Sequence, residues 1–140
     1  MAIPILILDQ TTKYLVSIRL LEGETIPVIN GVFHITLVHN KGIAFGLFQA
    51  SSGIFVAISI MVTSFIIYLN YRWLEKGGAV PCIFGLIVGG AVGNLIDRFR
   101  FGHVVDFLDF RIWPVFNVAD SAISIGTIIL IIYIIKEKNI

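Results

Sequence analysis

Long apolar runs separated by short polar stretches dominate the pattern of this chain. The later runs carry almost no charge, whereas the run at the start is interrupted by several polar side chains. A helix needs about 20 residues to cross the roughly 30 Å hydrocarbon core of a bilayer. The pattern therefore predicts an all-α membrane protein, a single domain over residues 1–140 with four transmembrane helices, whose approximate spans are 2–21, 54–71, 80–96 and 118–135.

The first run is the least apolar, because it contains Asp9, Gln10, Lys13 and Arg19. Asp9 and Lys13 lie four residues apart, so on a helix they share a face and can pair, which lowers the cost of burying either charge. A cleavable signal peptide is the alternative, but the basic start and the Ala-x-Ala site typical of one are missing. We therefore predict a first spanning helix here.

Residues 24–50, between the first two runs, have a different pattern. Extended, β-prone residues stand on either side of Asn30-Gly31, the dipeptide most typical of a type I′ hairpin turn. This predicts a small extracytoplasmic β element between helices 1 and 2. The element leads into a loop with Gly42 and Gly46, and glycines permit tight backbone and the close approach of a ligand. An ordinary glycine-rich interfacial loop explains that segment equally well.

Composition supports the membrane assignment and excludes several function classes. With 57% hydrophobic and 14% charged residues and a mean hydropathy of +0.95, the chain has too little polar surface to coat a soluble domain. A net charge of +1 without any Lys/Arg-rich run argues against a nucleic-acid partner. Cys82 is the single cysteine, so no internal disulfide is possible, and we expect it to be a small apolar helix residue.

The third run carries a stripe of small residues that ends in polar ones. Gly85, Gly89 and Gly93 recur every four residues, the spacing that lets helices pack closely in lipid. Further along the same face come residues that we expect to point into the helix bundle or its mouth: Asn94, Asp97 and Arg98.

The fourth run begins with a polar stripe over its first two turns, formed by Asn117, Asp120, Ser121 and Ser124. In one interpretation, Asn117 caps the helix and Asp120 lies in a first turn where the macrodipole favours an anion. In the other, Asp120 belongs to a site. Asp106 enters from a separate apolar segment, and the polar ends of the third and fourth runs meet on the same side of the membrane. Two carboxylates then converge at one mouth.

A convergent pair of carboxylates has a recognised chemical use. Two like charges a few ångström apart cannot both ionise cheaply, so the pair shares one proton and offers a base and an acid at once. Activating a water and protonating a leaving amine require that combination. Because the helix N-terminus favours an anion at Asp120, we expect Asp120 to be the ionised member and Asp106 to hold the proton, although the two sites titrate together.

Other catalytic constellations fit the sequence less well. It has no His-Glu-x-x-His motif, and His103 with Asp106 supplies too few ligands for zinc, so no metal is expected. Ser121 or Ser124 with His103 could form a nucleophile and its base, but no Gly-x-Ser-x-Gly turn presents either serine.

Motifs of a known family run in order along nearly the whole chain. They are Asp9-Gln10-x-x-Lys13, Asn40-x-Gly42-x-Ala44-Phe45-Gly46, Gly89-Gly90-x-x-Gly93-Asn94-x-x-Asp97-Arg98, Gly102-His103-Val104-Val105-Asp106-Phe107 and Phe116-Asn117-x-Ala119-Asp120. Together they resemble the bacterial lipoprotein signal peptidases, also called signal peptidase II. The resemblance implies an intramembrane aspartyl peptidase of the bacterial plasma membrane. Such an enzyme removes signal peptides from prolipoproteins by cutting just before the diacylglyceryl-modified cysteine, and it needs no metal or cofactor.

Carried over by motif, the catalytic pair falls on Asp106 and Asp120. The residues that would line the substrate site are Asn40, Asn94, Arg98 and Asn117, and those that would support it are Asp9, Lys13, Gly42 and Asp97. The implied partners are the diacylglyceryl-modified prolipoprotein and membrane lipid, and we expect a monomer. The chain departs from the family in its short lead-in before Asp9 and in its compact loop between Asp106 and Asp120.

The side of the membrane is a separate prediction. With four spans both termini share one side, which we predict to be cytoplasmic, so that the aspartates face the extracytoplasmic side. A raw count of basic residues favours the opposite orientation. Several basic residues on the aspartate side stand among acids, however, and resemble parts of a site. On that side, Asp109 with Arg111 is predicted to be a solvated loop pair.

A proton-coupled small membrane transporter is the alternative function, because membrane carboxylates can relay protons. It requires an ionisable group near the bilayer midplane, and the middles of the last three spans, around Met61, Gly89 and Ile128, have none. A purely structural membrane subunit would leave the cluster of polar residues without a purpose.

Overall fold

A computed structural model describes residues 1–42, 52–73 and 78–138 of the chain. Within these ranges the fold has four helices and one three-stranded sheet. In chain order the elements are α1 Ala2–Ser17, β1 Thr25–Ile29, β2 Phe33–Asn40, α2 Ser52–Trp73, α3 Val80–Phe101, β3 Val104–Asp109 and α4 Val118–Lys138.

Three helices of the described part are long and apolar enough to cross a membrane, with candidate spans Val56–Trp73, Val80–Phe101 and Val118–Glu137. Helix α1 has 16 residues and is shorter than the predicted span, because the chain turns after Ser17 and the N–H groups of Arg19 and Leu20 both bond to the carbonyl of Val16. A membrane crossing by α1 therefore stays a prediction.

Helix α3 extends beyond the predicted end at residue 96 to Phe101. It ends at Gly102, whose φ of 73° allows its N–H to bond back to the carbonyl of Arg98. The prediction was too short because it took Asp97 and Arg98 as the end of the apolar helix. Their polar side chains instead have partners within the bundle, so the helix continues through them.

Close helix packing around α3 depends on glycine, as the sequence predicted. A methyl group on Gly89 would lie 2.7 Å from the carbonyl oxygen of Ala2 in α1, and one on Gly93 would lie 2.5 Å from a carboxylate oxygen of Asp9. A methyl group on Gly90 would lie even closer to the carbonyl oxygen of Ala119 in α4. The small-residue stripe thus brings the polar residues of α1 and α4 against those of α3.

The sheet has the order β1-β2-β3 and is antiparallel throughout. The predicted hairpin forms, with Gly31 at a φ of 72° between β1 and β2. The predicted β element between helices 1 and 2 is present as β1 and β2, but the prediction did not include a third strand. Strand β3 comes from between α3 and α4 and pairs with β2, with Val38 opposite Asp106. Because β3 is buried on both faces, it lacks the alternating pattern that reveals a strand.

Candidate active site

The two predicted catalytic aspartates are positioned by different elements. Asp106 lies within β3 and is only 1% exposed, whereas Asp120 lies in the first turn of α4 and is partly buried. Asp106 Oδ2 accepts a hydrogen bond of 2.9 Å from Asn40 Nδ2, and its Oδ1 accepts one of 2.7 Å from Asn117 Nδ2. Strand β2 and the start of α4 therefore hold the two oxygens of one carboxylate.

A chain of side-chain amides joins the two aspartates. Asn94 Nδ2 donates to Asp120 Oδ1 at 2.7 Å, and Asn94 Oδ1 accepts from Asn117 Nδ2 at 3.1 Å. Asn117 Oδ1 also accepts the backbone N–H of Asp120 at 2.9 Å, which makes Asn117 the cap of α4. The capping interpretation of Asn117 is thus confirmed, and the same side chain also contacts Asp106, while a site role for Asp120 stays a prediction.

Arg98 completes this group of polar residues from α3. Its guanidinium interacts electrostatically with Asp120, Asp106 and Asp97, and its Nη1 donates to the carbonyl of Asn94 at 3.4 Å. The four side chains that the resemblance implies for substrate binding therefore all contact or face the aspartates.

The surroundings of Asp106 favour its protonated form. Strand β3 lies outside the spanning helices, and burial there raises the pKa of Asp106 to about 6 from an ordinary value of 3.8. Repulsion from Asp120 adds to the rise, and the hydrogen bonds from Asn40 and Asn117 oppose it. A carboxyl with this pKa can donate and accept a proton near neutral pH, as an acid in catalysis requires.

Next to this group of polar residues lies a buried charge cluster, formed by Asp9, Lys13 and Asp97. Lys13 Nζ is 2.9 Å from Asp9 Oδ2 and 2.9 Å from Asp97 Oδ2, and it donates to Asn94 Oδ1 at 3.0 Å. The predicted pairing of Asp9 with Lys13 is confirmed. Sequence reasoning assigned no role to Gln10, which donates to Asp97 Oδ1 at 2.9 Å and to Asp9 Oδ2 at 3.2 Å. Its position beside Asp9 in the first motif was the available signal.

Gly42 supports the site through Asn40. With a φ of 81°, Gly42 directs its backbone N–H to Asn40 Oδ1 at 2.9 Å, which leaves the amide nitrogen of Asn40 to bond Asp106. A side chain at position 42 would be strained in this backbone conformation. The rest of the second motif, Ala44 to Gly46, lies outside the described residues.

Asp109 differs from its predicted role. It ends β3 with 4% of its surface exposed and accepts hydrogen bonds from Thr36 Oγ1 at 2.7 Å, from Arg111 N at 2.8 Å and from Arg111 Nη1 at 2.9 Å. The prediction of a solvated loop pair was wrong for Asp109, because strand pairing with β2 places its carboxylate over Thr36. The bond from Thr36 and those from Arg111 lower the pKa of Asp109.

Two cavities open beside this group of polar residues, and the larger one reaches Asp120. One of about 550 Å³ lies against the start of α4 and is mostly apolar, with the lining residues Phe110, Ile112, Trp113, Phe116, Asp120, Ser121, Ser124 and Ile125. The other, of about 190 Å³, lies between α2, α3 and α4 and includes Asn94 and Arg98. Within residues 1–42, 52–73 and 78–138, no group of three or more His, Cys, Asp or Glu side chains could hold a metal ion.

Known proteins are similar to this chain in both sequence and fold. A family model described as signal peptidase (SPase) II matches residues 1–136. The lipoprotein signal peptidase of Halothermothrix orenii is 47% identical over 136 residues, which cover 97% of this chain and 93% of that protein. The lipoprotein signal peptidase of Clostridioides difficile is 48% identical over 131 residues, covering 91% of this chain and 87% of that protein.

A solved structure also matches. A bacterial membrane enzyme determined by the in meso method at 1.9 Å resolution superposes with a TM-score of 0.82 and 34% identity, covering 96% of this chain and 90% of that one. Because the superposition covers 96% of this chain, it includes both the helices and the sheet.

Proposed function

Since this chain belongs to the signal peptidase II family, it is a membrane peptidase, and we propose that Asp106 and Asp120 are its catalytic pair. Its substrates are prolipoproteins, and it cuts just before the lipid-modified cysteine. One observation carries the assignment of the pair. The single side chain of Asn117 bonds the carboxylate of Asp106 and the backbone of Asp120, so both aspartates are held in one rigid arrangement.

The proposed reaction uses one shared proton. Asp120, as the base, takes a proton from a water whose oxygen attacks the scissile carbonyl carbon, while the proton on Asp106 passes to the carbonyl oxygen. The tetrahedral diol then collapses: the proton on Asp120 moves to the departing amine nitrogen, the C–N bond breaks, and a diol proton returns to Asp106. Asn94 and Asn117 fix the orientation of the carboxylates throughout, because each bonds one of them at 2.7 Å.

The cavities beside the aspartates suit a lipid-bearing peptide. The cavity of about 550 Å³ is lined mainly by aromatic and aliphatic side chains and has Asp120 at its edge, so an apolar group bound there would lie next to the base. The smaller cavity offers the amide of Asn94 and the guanidinium of Arg98, which can bind peptide carbonyls. We propose that lipid and peptide parts of the substrate occupy these two cavities.

The membrane arrangement is part of the proposal. Helix α1 crosses the bilayer as a fourth span, both termini are cytoplasmic, and the sheet and aspartates face the extracytoplasmic side of a bacterial plasma membrane. The protein acts as a monomer without a metal or cofactor. In a Cys82→Ser background, Glu24→Cys should react with an impermeant maleimide added outside intact cells, whereas Lys136→Cys should react only after lysis. The reverse labelling would contradict this orientation.

The decisive experiment separates a peptidase from the alternative proton-coupled transporter. The detergent-purified protein is incubated with a lipidated and an unlipidated prolipoprotein, and the released signal peptide is measured. We expect release from the lipidated substrate, none from the unlipidated one, and none with Asp106→Asn or Asp120→Asn. Release that persists in either aspartate variant would overturn the assignment of the pair.

A further inference from the structure

Each catalytic aspartate follows a residue whose backbone N–H is bound by a buried carboxylate. The N–H of Val105 donates to Asp97 Oδ2 at 3.1 Å, and the N–H of Ala119 donates to Asp9 Oδ1 at 2.9 Å. These N–H groups belong to two separate segments, the strand β3 and the first turn of α4. Their acceptors come from two further elements, α3 and α1.

Lys13 links the two acceptors to each other. Its Nζ is 2.9 Å from each carboxylate, at Asp9 Oδ2 and Asp97 Oδ2, and it also donates to Asn94 Oδ1, whose amide nitrogen bonds Asp120. Lys13 is 3% exposed, Asp97 1% and Asp9 not at all. Well-packed apolar residues would often be as stable at such a place, so burying three charges favours a role in specifying geometry.

We propose that Asp9, Lys13 and Asp97 are positioning residues that fix the distance and orientation between Asp106 and Asp120. The proposal rests on the catalytic pair proposed above. The two carboxylates fix the backbone before each aspartate, and Lys13 holds the two carboxylates together. None of the three residues needs to touch the substrate. A displacement of about 1 Å within a reacting group can cost about 100-fold in rate, so this support decides turnover.

Lys13 also acts on the pair through its charge. Among the charged groups that face Asp106, α1 contributes Lys13, α3 contributes Arg98 and α4 contributes Asp120, while β2 contributes the neutral amide of Asn40. After the dominant effect of burial, which raises the pKa of Asp106, the positive charge of Lys13 opposes that rise. Removing this charge should therefore raise the pKa of Asp106 further, a change that a loss of stability alone would not produce.

Paired substitutions test the backbone tethers. Asp97→Asn keeps an oxygen that can accept the N–H of Val105, whereas Asp97→Ala removes it; Asp9→Asn and Asp9→Ala form the same pair for Ala119. We expect kcat per folded molecule to fall about 100-fold in each alanine variant but to stay within about tenfold of wild type in each asparagine variant, with KM little changed. The folded fraction is measured by size-exclusion chromatography and thermal unfolding in detergent.

The matched control is Asp109, another buried carboxylate on β3, whose partners Thr36 and Arg111 are outside the charge cluster. Asp109→Ala should lower the unfolding temperature yet leave kcat of the folded fraction within about twofold of wild type. Equal kcat values in the alanine and asparagine variants of Asp97 and Asp9 would overturn the proposal, as would an Asp109→Ala variant that loses as much turnover as Asp97→Ala.

A second variant keeps the test decisive if the alanine substitutions prevent folding. Asp9→Asn combined with Lys13→Met removes one charge of each sign and retains both acceptors for the backbone. Relative to Asp9→Asn alone, which lacks the same negative charge, its kcat/KM profile should have an alkaline limb shifted upward by about half a pH unit or more. An unshifted limb would contradict the role of Lys13. These outcomes would contradict only the positioning role. The proposed catalytic pair would instead be contradicted if Asp106→Asn or Asp120→Asn retained activity.

Discussion

Two buried aspartates of β3, Asp106 and Asp109, have pKa values that move in opposite directions. Asp106 accepts hydrogen bonds from two neutral side-chain amides, and burial raises its pKa to about 6. Asp109 accepts from the hydroxyl of Thr36 and from the backbone and guanidinium of Arg111, and these bonds lower its pKa. The two carboxylates lie on the same strand, but the effect of burial is largest at Asp106, whereas the hydrogen bond from Thr36 has the largest effect at Asp109.

This contrast distinguishes the carboxylate that we propose to be catalytic from one whose hydrogen bonds indicate a structural role. The hydroxyl of Thr36 joins Asp109 to strand β2, and together with Arg111 it stabilises the anion, which makes the carboxylate a poor proton donor. At Asp106 the amides orient the carboxyl and partly oppose the effect of burial, which raises the pKa and so keeps the proton available near pH 6. A strand can thus hold both kinds of aspartate, because burial dominates the pKa of one and hydrogen bonds dominate the pKa of the other.

The strongest test of the contrast is to neutralise Asp106. Asp106→Asn, and likewise Asp120→Asn, should lower kcat about 1000-fold or more while expression and unfolding temperature stay close to wild type, because residues that act as a unit fail together. Turnover is measured as release of signal peptide from a lipidated prolipoprotein. A single variant that retains more than about a tenth of the wild-type rate would refute the catalytic pair.

Neutralising Asp109 should have the opposite consequence. In Asp109→Asn one oxygen acceptor for Thr36 and Arg111 is lost, which should lower the free energy of unfolding by about 1–3 kcal/mol. We expect kcat of the folded protein to stay within about twofold of wild type. Thermal unfolding followed by circular dichroism gives the first quantity and peptide release the second. A large loss of kcat without a loss of stability would reverse the roles assigned to the two aspartates.

The amide of Asn40 offers a finer test, because its hydrogen bond opposes the rise in the pKa of Asp106. Asn40→Ala should raise that pKa further, so Asp106 keeps its proton to higher pH and the alkaline limb of kcat/KM moves upward by about half a unit or more. In the wild type the limb should have its midpoint near pH 6, the pKa of Asp106. A limb that moves downward in Asn40→Ala would show that another group controls it.

The same comparison shows how much the sequence reveals. Apolar run lengths predicted α2, α3 and α4, the dipeptide Asn30-Gly31 predicted the hairpin, and motif order identified the catalytic candidates. The environment of Asp109 was missed, because β3 is buried on both faces and its pairing with β2 is not a local property. Long-range contacts of this kind leave no periodic trace in the chain.

The charge cluster illustrates the same limit. A separation of four residues was enough to predict that Asp9 and Lys13 pair on α1. Asp97 joins them from α3, and its bond to the N–H of Val105 depends on how α3 turns into β3 at Gly102. Helix periodicity predicted that Asp97 points inward, but its partners required the tertiary fold.

The smallest expected effect concerns stability in acid. The pKa of Asp109 is lowered in the folded protein, so its carboxylate contributes stability that is present above the unfolded pKa of about 3.9 and is lost as pH falls through the lower, folded value. The unfolding temperatures of wild type and Asp109→Asn should therefore differ above about pH 5 and converge below about pH 3.

The pH dependence of stability has the opposite sign at Asp106, whose pKa is raised. Its folded form binds a proton more tightly than the unfolded form does, and the resulting stability is lost as pH rises through about 6. The unfolding temperature of wild type relative to Asp106→Asn should accordingly fall between about pH 4 and pH 7. Parallel curves for the two variants would mean that the two aspartates titrate alike, contrary to the opposite directions of their pKa values.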